Sequence, residues 1–335
     1  MGKPGILVVS LDFELFWGIR DFARLEEHSE CLIRVRRVVP RVLELFRRHG
    51  VHATWATVGM LFCSSDAELR RYLPDRLPTY ADPSQSPYGD LARTGRDESE
   101  DPFHFAPSLI EAIHSVPNQE IGSHTFSHYY CLENGQDREA FRDDLAAALE
   151  VARARGVTLR SLVFPRNQVN PAYLDLCREA GIVAYRGTES SWLHLPRPFQ
   201  RETRARRLAR LLDCYANVSG DHGYPIPAET SERPVNIPSS RLLRRYIPAL
   251  KWLEGLRLRR ILSSMTNAAS SGRVFHLWMH PEELAEYPQP NLDFLQGVLS
   301  HFARLRRRYG MESLNMAEYA ERLHPARLTL ARMAS

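Results

Sequence analysis

Along the first half of the chain, short apolar runs alternate with amphipathic stretches that end at glycine, a rhythm that predicts parallel strands joined by crossover helices. Residues 6–11 read as the first strand. Residues 32–49 carry Leu32, Val35, Val39, Val42, Leu43 and Phe46 at helical spacing, with Gly50 placed for a left-handed C-cap. A second strand is expected over 51–59. A short helix over 107–114 leads into a strand at 120–124, and a long helix over 138–155 closes at Gly156. Residues 161–164 supply the next strand. Residues 171–180, opened by Pro171 and closed by Gly181, lead to a strand over 182–185, and 274–279 is a late one. The repeat predicts an α/β protein, with a parallel barrel favoured over an open sheet.

Two stretches break the rhythm. Residues 74–102 are rich in proline, acidic and small polar residues, the composition of a long excursion that covers or shapes a site, so they are a candidate substrate lid. From about 192 to 267 the periodicity is too broken by prolines and basic clusters to assign. We therefore expect a single catalytic domain over 1–335 with insertions at about 63–106 and 192–267.

The chain of 335 residues is 44% hydrophobic and 25% charged, ordinary for a globular protein, and no apolar run of about 18 residues suggests an integral membrane segment. The N-terminal stretch lacks a signal-peptide core, which predicts a cytoplasmic protein. Cys31, Cys63, Cys131, Cys177 and Cys214 are odd in number and scattered, so they read as reduced and mostly structural. The net charge of +4 is uneven: Arg201, Arg204, Arg206, Arg207 and Arg210 crowd one stretch, and Arg244, Arg245, Lys251, Arg257, Arg259 and Arg260 another. In the second cluster the cations alternate with Leu242, Leu243, Ile247, Leu250, Trp252, Leu253, Leu256 and Leu258. That pattern suits peripheral contact with anionic headgroups or with phosphates of a linked substrate, although a solvated helix face packed on the barrel explains it more simply. No zinc finger, helix-turn-helix or RNA-binding signature accompanies the basic runs, so no nucleic-acid partner is expected.

Candidate chemistry begins with His124 and His128. Four residues apart after a strand-like segment, two imidazoles can reach one metal ion, though among thirteen histidines such a pair also arises by chance. Asp12 and Glu14 stand at the end of the first strand, where barrel enzymes collect catalytic groups. The bland alternative is two solvated acids at a strand exit.

The ordered segments Ser10-Leu11-Asp12-Phe13-Glu14, Glu120-Ile121-Gly122-Ser123-His124-Thr125-Phe126-Ser127-His128 and Phe275-His276-Leu277-Trp278-Met279-His280-Pro281 resemble the polysaccharide deacetylase family, also called the NodB-homology family or carbohydrate esterase family 4. The resemblance runs over about 5–190 and returns near 270–285. It implies a distorted (β/α) barrel of the NodB-homology type, an Asp-His-His set holding a divalent metal ion, expected to be zinc, and a separate aspartate as general base. His124 and His128 correspond to the metal-binding histidines. The usual adjacent aspartates are replaced by Asp-x-Glu, with Phe13 between, a spacing that resembles intracellular and allantoinase-like members. On that basis Asp12 is assigned as base and Glu14 as carboxylate ligand, with the exchanged assignment left open.

Phe164-Pro165-Arg166-Asn167-Gln168 resembles an altered form of the family's arginine motif, which implies that Arg166 pairs with the catalytic carboxylate and holds it ionised. The alternative is an arginine at an ordinary strand exit. His280 resembles the final histidine, the general acid toward the leaving group. His276 and Trp278 share its face by strand alternation; His276 reads as a core histidine, and Trp278 either floors the sugar pocket or packs. The resemblance thus implies removal of an N-acetyl group from a carbohydrate in cell-surface polysaccharide synthesis; a cytoplasmic location and the basic stretches would suit a nucleotide- or lipid-linked sugar before export. Alternatives on the same scaffold are an allantoinase-like cyclic amide hydrolase, an O-acetyl or formyl hydrolase, and a non-catalytic carbohydrate-binding protein.

Overall fold

A computed structural model describes residues 3–189, 191, 193, 203–228, 230 and 234–324; Arg201 and the side chains of Arg204 and Arg207 lie outside the described residues. In chain order the elements are β1 (Ile6–Phe13), α1 (Leu25–His49), β2 (Ala53–Thr57), α2 (Asp66–Arg71), α3 (Pro107–His114), β3 (Gln119–Ser123), α4 (Arg138–Ala154), β4 (Ser161–Leu162), α5 (Leu174–Glu179) and β5 (Ala184–Gly187). There follow α6 (Arg204–Asp213), β6 (Tyr224–Pro225), β7 (Val235–Pro238), β8 (Arg241–Leu242), α7 (Glu254–Ser270), β9 (Arg273–Met279), α8 (Pro281–Glu286), α9 (Pro288–Tyr309), β10 (Glu312–Leu314) and α10 (Met316–Arg322). Helix ends follow local chemistry. Gly50 caps α1 at φ 59°, ψ 46°, a left-handed conformation that costs glycine little, and Arg47, Arg48 and His49 occupy the last turn, where cations suit the helix dipole. Asp137 caps α4 by accepting from the Glu139 and Ala140 amides.

The sheet runs β6-β9-β1-β2-β3-β4-β5-β7, with β10 also beside β1 and β8 also beside β9. Its pairings are parallel except that of β6 with β9. Only Ser239 and Ser240 separate β7, which lies on β5, from β8, which lies on β9. One stretch of chain therefore touches both ends of the curled sheet and draws it toward a distorted (β/α) barrel. The unassigned segment 192–267 thus contributes part of the barrel wall, together with α7.

Strand alternation divides the core in two. Leu7, Val9, Leu11 and Phe13 of β1 and Phe275, Leu277 and Met279 of β9 join the cluster under the helices. Ile6, Val8 and Val274 instead pack with Val235, Ile237 and Tyr319 in a separate buried cluster. The same alternation carries Ser10 and Asp12 above Ile6 and Val8, and His276, Trp278 and His280 above Val274. An apolar plug therefore fills the lower end, and polar side chains stack above it toward the C-terminal ends of the strands.

The segment 74–102 differs from the lid expectation. The Tyr80 hydroxyl accepts from the Tyr130 amide at 2.8 Å, Ala81 N donates to Asn134 O at 2.8 Å, and Arg20 donates to the Ser84 and Gln85 carbonyls. The excursion is pinned against the loops that follow β1 and β3, and it contributes no side chain to the lining of the pocket described below. The second basic stretch divides between surface and interior, with Arg245, Lys251 and Arg259 exposed. Arg257 and Arg260 are buried, with Arg257 paired to Glu254 and stacked 3.8 Å from the Phe294 ring centroid, and Arg260 paired to Asp221 at 3.3 Å. Leu243 is buried, while Trp252 and Leu256 are exposed.

Candidate metal centre and catalytic pocket

Glu14 follows β1 and is seated by a tight turn. Leu15 adopts φ 46°, its amide donates to Glu282 Oε1 at 2.7 Å, and the chain doubles back at Gly18. A Cβ on Gly18 would stand 2.5 Å from Glu14 Cγ and closer still to its carboxylate, so glycine makes the space that Glu14 occupies. The two histidines sit on the loop after β3. Thr125 and His128 take left-handed φ values of 62° and 57°, and Thr125 Oγ1 accepts the Tyr129 amide at 2.7 Å. The loop folds so that His124 Nε2 lies 3.2 Å and His128 Nε2 3.0 Å from the same oxygen, Glu14 Oε2.

All three side chains are buried, and among the described residues they form a donor cluster with ligand atoms within 4.8 Å of one another. His124 Nδ1 donates to Val163 O at 2.8 Å, so the neutral ring turns an Nε2 lone pair toward Glu14 Oε2. Two lone pairs face each other stably only with a proton or a cation between them. Burial is the largest influence on His128 and pushes its pKa down to about 4 despite the pull of Glu14. Burial opposes ionisation of Glu14, but His128 and His124 outweigh it and hold the carboxyl well below its ordinary value. A neutral His128 beside an ionised Glu14 gives the protonation states that a divalent cation requires, and with His124 Nε2 turned to the same oxygen the residues present fit one.

Asp12 is organised differently. Arg186, fully buried on β5, donates to both of its carboxylate oxygens at 2.6 Å, to Ser10 Oγ at 3.1 Å and to Asn167 Oδ1 at 2.9 Å. Burial opposes the Asp12 charge, but Arg186 overcomes it and holds the carboxyl below its ordinary value. Below the pair, His276 Nε2 meets Ser10 Oγ at 2.8 Å and its Nδ1 meets Ile237 O at 3.2 Å. Burial, reinforced by Arg186, pushes that ring down to about 3, so it is a neutral packed histidine. Arg166, expected to pair with the catalytic carboxylate, pairs instead with Asp21 and lies 4.2 Å over the Tyr130 ring. With φ 54° it turns away from the strand axis, while Arg186, one residue beyond the predicted strand 182–185, points along the concave face to Asp12. Arg166 still lines the pocket wall.

His280 stands at the end of β9 as the residue before α8, with Nε2 3.7 Å from Asp12 Oδ2 and 3.8 Å from Glu14 Oε1. Burial works against its charge, but Glu14, Asp12, Glu283 and Glu282 together hold it up to about 9. Trp278 receives Arg186 on its face at 4.4 Å. These groups open into one cavity of about 290 Å³, lined also by Ile19, Phe22, Asn167, Glu282 and Glu283. Phe22 is 63% exposed at this pocket, an aromatic surface available to a ligand. Phe22, Arg186 and the α8 glutamates escaped the sequence reading. Glu282 and Glu283 directly follow the recognised His280-Pro281 pair, and that adjacency was the available signal.

A barrel whose strand ends gather two histidines, two acids and a further histidine is the arrangement expected of the NodB-type hydrolases. Residues 30–185 match the family model for polysaccharide deacetylase, so the resemblance carried by the motifs is found independently over that stretch. A Mycobacterium smegmatis structure assigned as a polysaccharide deacetylase superposes with a TM-score of 0.59 at 14% identity, covering 97% of this chain and 92% of that one. The Puue allantoinase structure gives 0.57 at 13% identity, covering 97% and 92%. A Pseudomonas aeruginosa PAO1 structure assigned to polysaccharide deacetylase gives 0.56 at 13%, covering 96% and 93%. These likenesses establish the shared fold. No curated protein sequence matches significantly.

Proposed function

We propose that this protein is a metal-dependent hydrolase that removes an N-acetyl group from a sugar, as part of making a glycan or glycan precursor. The observation that supports this reading is the meeting, on the wall of one cavity of about 290 Å³, of Glu14 and His128 backed by His124, of Asp12 backed by Arg186, and of His280. Glu14, His124 and His128 would hold a divalent ion, zinc by the chemistry of two imidazoles and a carboxylate, which when bound polarises the acyl oxygen and acidifies water.

Asp12 acts as general base. Its carboxylate is kept ionised and aimed by the two Arg186 hydrogen bonds, so it can take a proton from water in the pocket without first reorganising. His280, set 3.7 Å from Asp12 and beside Glu283, donates the proton that the departing amine needs. Trp278 and Phe22 provide apolar surface against which a sugar ring packs. A cytoplasmic site of action suits the five free cysteines, and it favours a nucleotide- or lipid-linked sugar over an extracellular polymer.

The test is acetate release from free, nucleotide-linked and lipid-linked N-acetyl sugars, run beside ring opening of cyclic amides. Acetate release that falls at least 100-fold in both Asp12→Asn and His280→Ala supports the reading. Ring opening without acetate release would replace it with an allantoinase-like activity.

A further inference from the structure

Asp144 lies on the buried stripe of α4, between Phe141 and Ala148, where helical spacing calls for an apolar residue. Its carboxylate is fully buried and lies outside the pocket lining. Oδ1 accepts the Phe126 amide at 2.7 Å, and Oδ2 accepts the Ser127 amide at 3.1 Å and the Ser127 hydroxyl. All three donors belong to the segment between His124 and His128. That segment has little freedom elsewhere, because a Cβ on Gly59 would stand 2.8 Å from Phe126 Cα and the Tyr130 amide beyond it is held by Tyr80.

A buried carboxylate facing three donors from one short loop is costly unless the loop keeps the conformation that supplies them. The required conformation includes left-handed backbone at Thr125 and His128, which non-glycine residues adopt only where their surroundings impose it. We propose that Asp144 is a positioning residue for metal binding: it sets the loop in its ligating shape before any ion arrives. The inference rests on the reading of Glu14, His124 and His128 as a metal site. Asp144 touches neither substrate nor ligand atoms and acts through the backbone between the two histidines.

The experiment measures Zn²⁺ affinity by chelator competition for the wild type, Asp144→Asn and Leu145→Ala, the last removing a buried apolar neighbour on the same helix that has no polar group to offer the Phe126 and Ser127 amides. Asn places an amide nitrogen where one set of donors points. The expected result is at least a 10-fold loss of affinity in Asp144→Asn and less than 2-fold in Leu145→Ala, at comparable losses of thermal stability. Equal affinities in the two variants would overturn the proposal. Should Asp144→Asn fail to fold, hydrogen exchange of metal-free wild-type protein decides. Slow exchange at the Phe126 and Ser127 amides without metal supports a preset loop, and fast exchange that slows only with Zn²⁺ overturns it. Failure of the wild type to bind Zn²⁺ would instead refute the metal-site reading itself.

Discussion

Replacing Arg186 by methionine would keep most of the buried stem and remove the cation in bidentate contact with Asp12. Arg186 is 0% and Asp12 3% exposed, and the pair shares two hydrogen bonds of 2.6 Å. Breaking such a pair leaves a buried carboxylate without its hydrogen-bonded cation, with His280 at 3.7 Å as a weaker neighbour, at a cost of about 3–5 kcal/mol. The pH dependence has a definite sign. In the wild type the Asp12 pKa is depressed, so its contribution is present above the unfolded value and is lost as pH falls through the folded one. In Arg186→Met burial is opposed only by the weaker pull of His124 and His280 and raises that pKa, so the variant loses stability as pH rises above the unfolded value. Urea unfolding of metal-free protein should therefore show a deficit of about 3–5 kcal/mol at pH 7.5 and a smaller one at pH 5. Asp12→Asn combined with Arg186→Met should recover about 2 kcal/mol or more relative to the sum of the single losses. A deficit below about 1 kcal/mol, equal deficits at the two pH values, or strict additivity would refute the buried-pair account.

Gly18→Ala should weaken Zn²⁺ affinity at least 10-fold with little change in thermal stability, because the new methyl group displaces Glu14; unchanged affinity in a chelator competition would remove Glu14 from the ligand set. The raised pKa of His280, about 9 against an ordinary 6.5, makes its contribution to metal-free stability complete below about 6.5 and lost as pH rises through 9. The gap corresponds to at most about 3 kcal/mol. Unfolding between pH 6 and 9.5 should thus show a decline that His280→Gln flattens, and parallel curves would contradict the assignment.

The α/β barrel was legible because buried parallel strands read as apolar runs and because glycine marks helix ends, as at Gly50. The two histidines were legible because their spacing is local. Arg186 was not: its role depends on β5 lying across the concave face from β1, a relation that no local pattern encodes, whereas Arg166 sat beside a recognisable motif. Residues 192–267 resisted assignment because β7 and β8 are only four and two residues long, too short to show a period. Asp144 was visible as a charge on the apolar stripe of α4, but the loop it holds became apparent only in three dimensions.

The most direct measurement is metal content by elemental analysis of protein purified without an affinity tag, beside His124→Ala, with acetate release from N-acetyl sugars assayed on both. The account predicts close to one divalent ion per chain in the wild type, loss of that ion in the variant, and loss of acetate release with it. Wild-type protein that takes up no zinc, cobalt or manganese and releases acetate at an undiminished rate would contradict it.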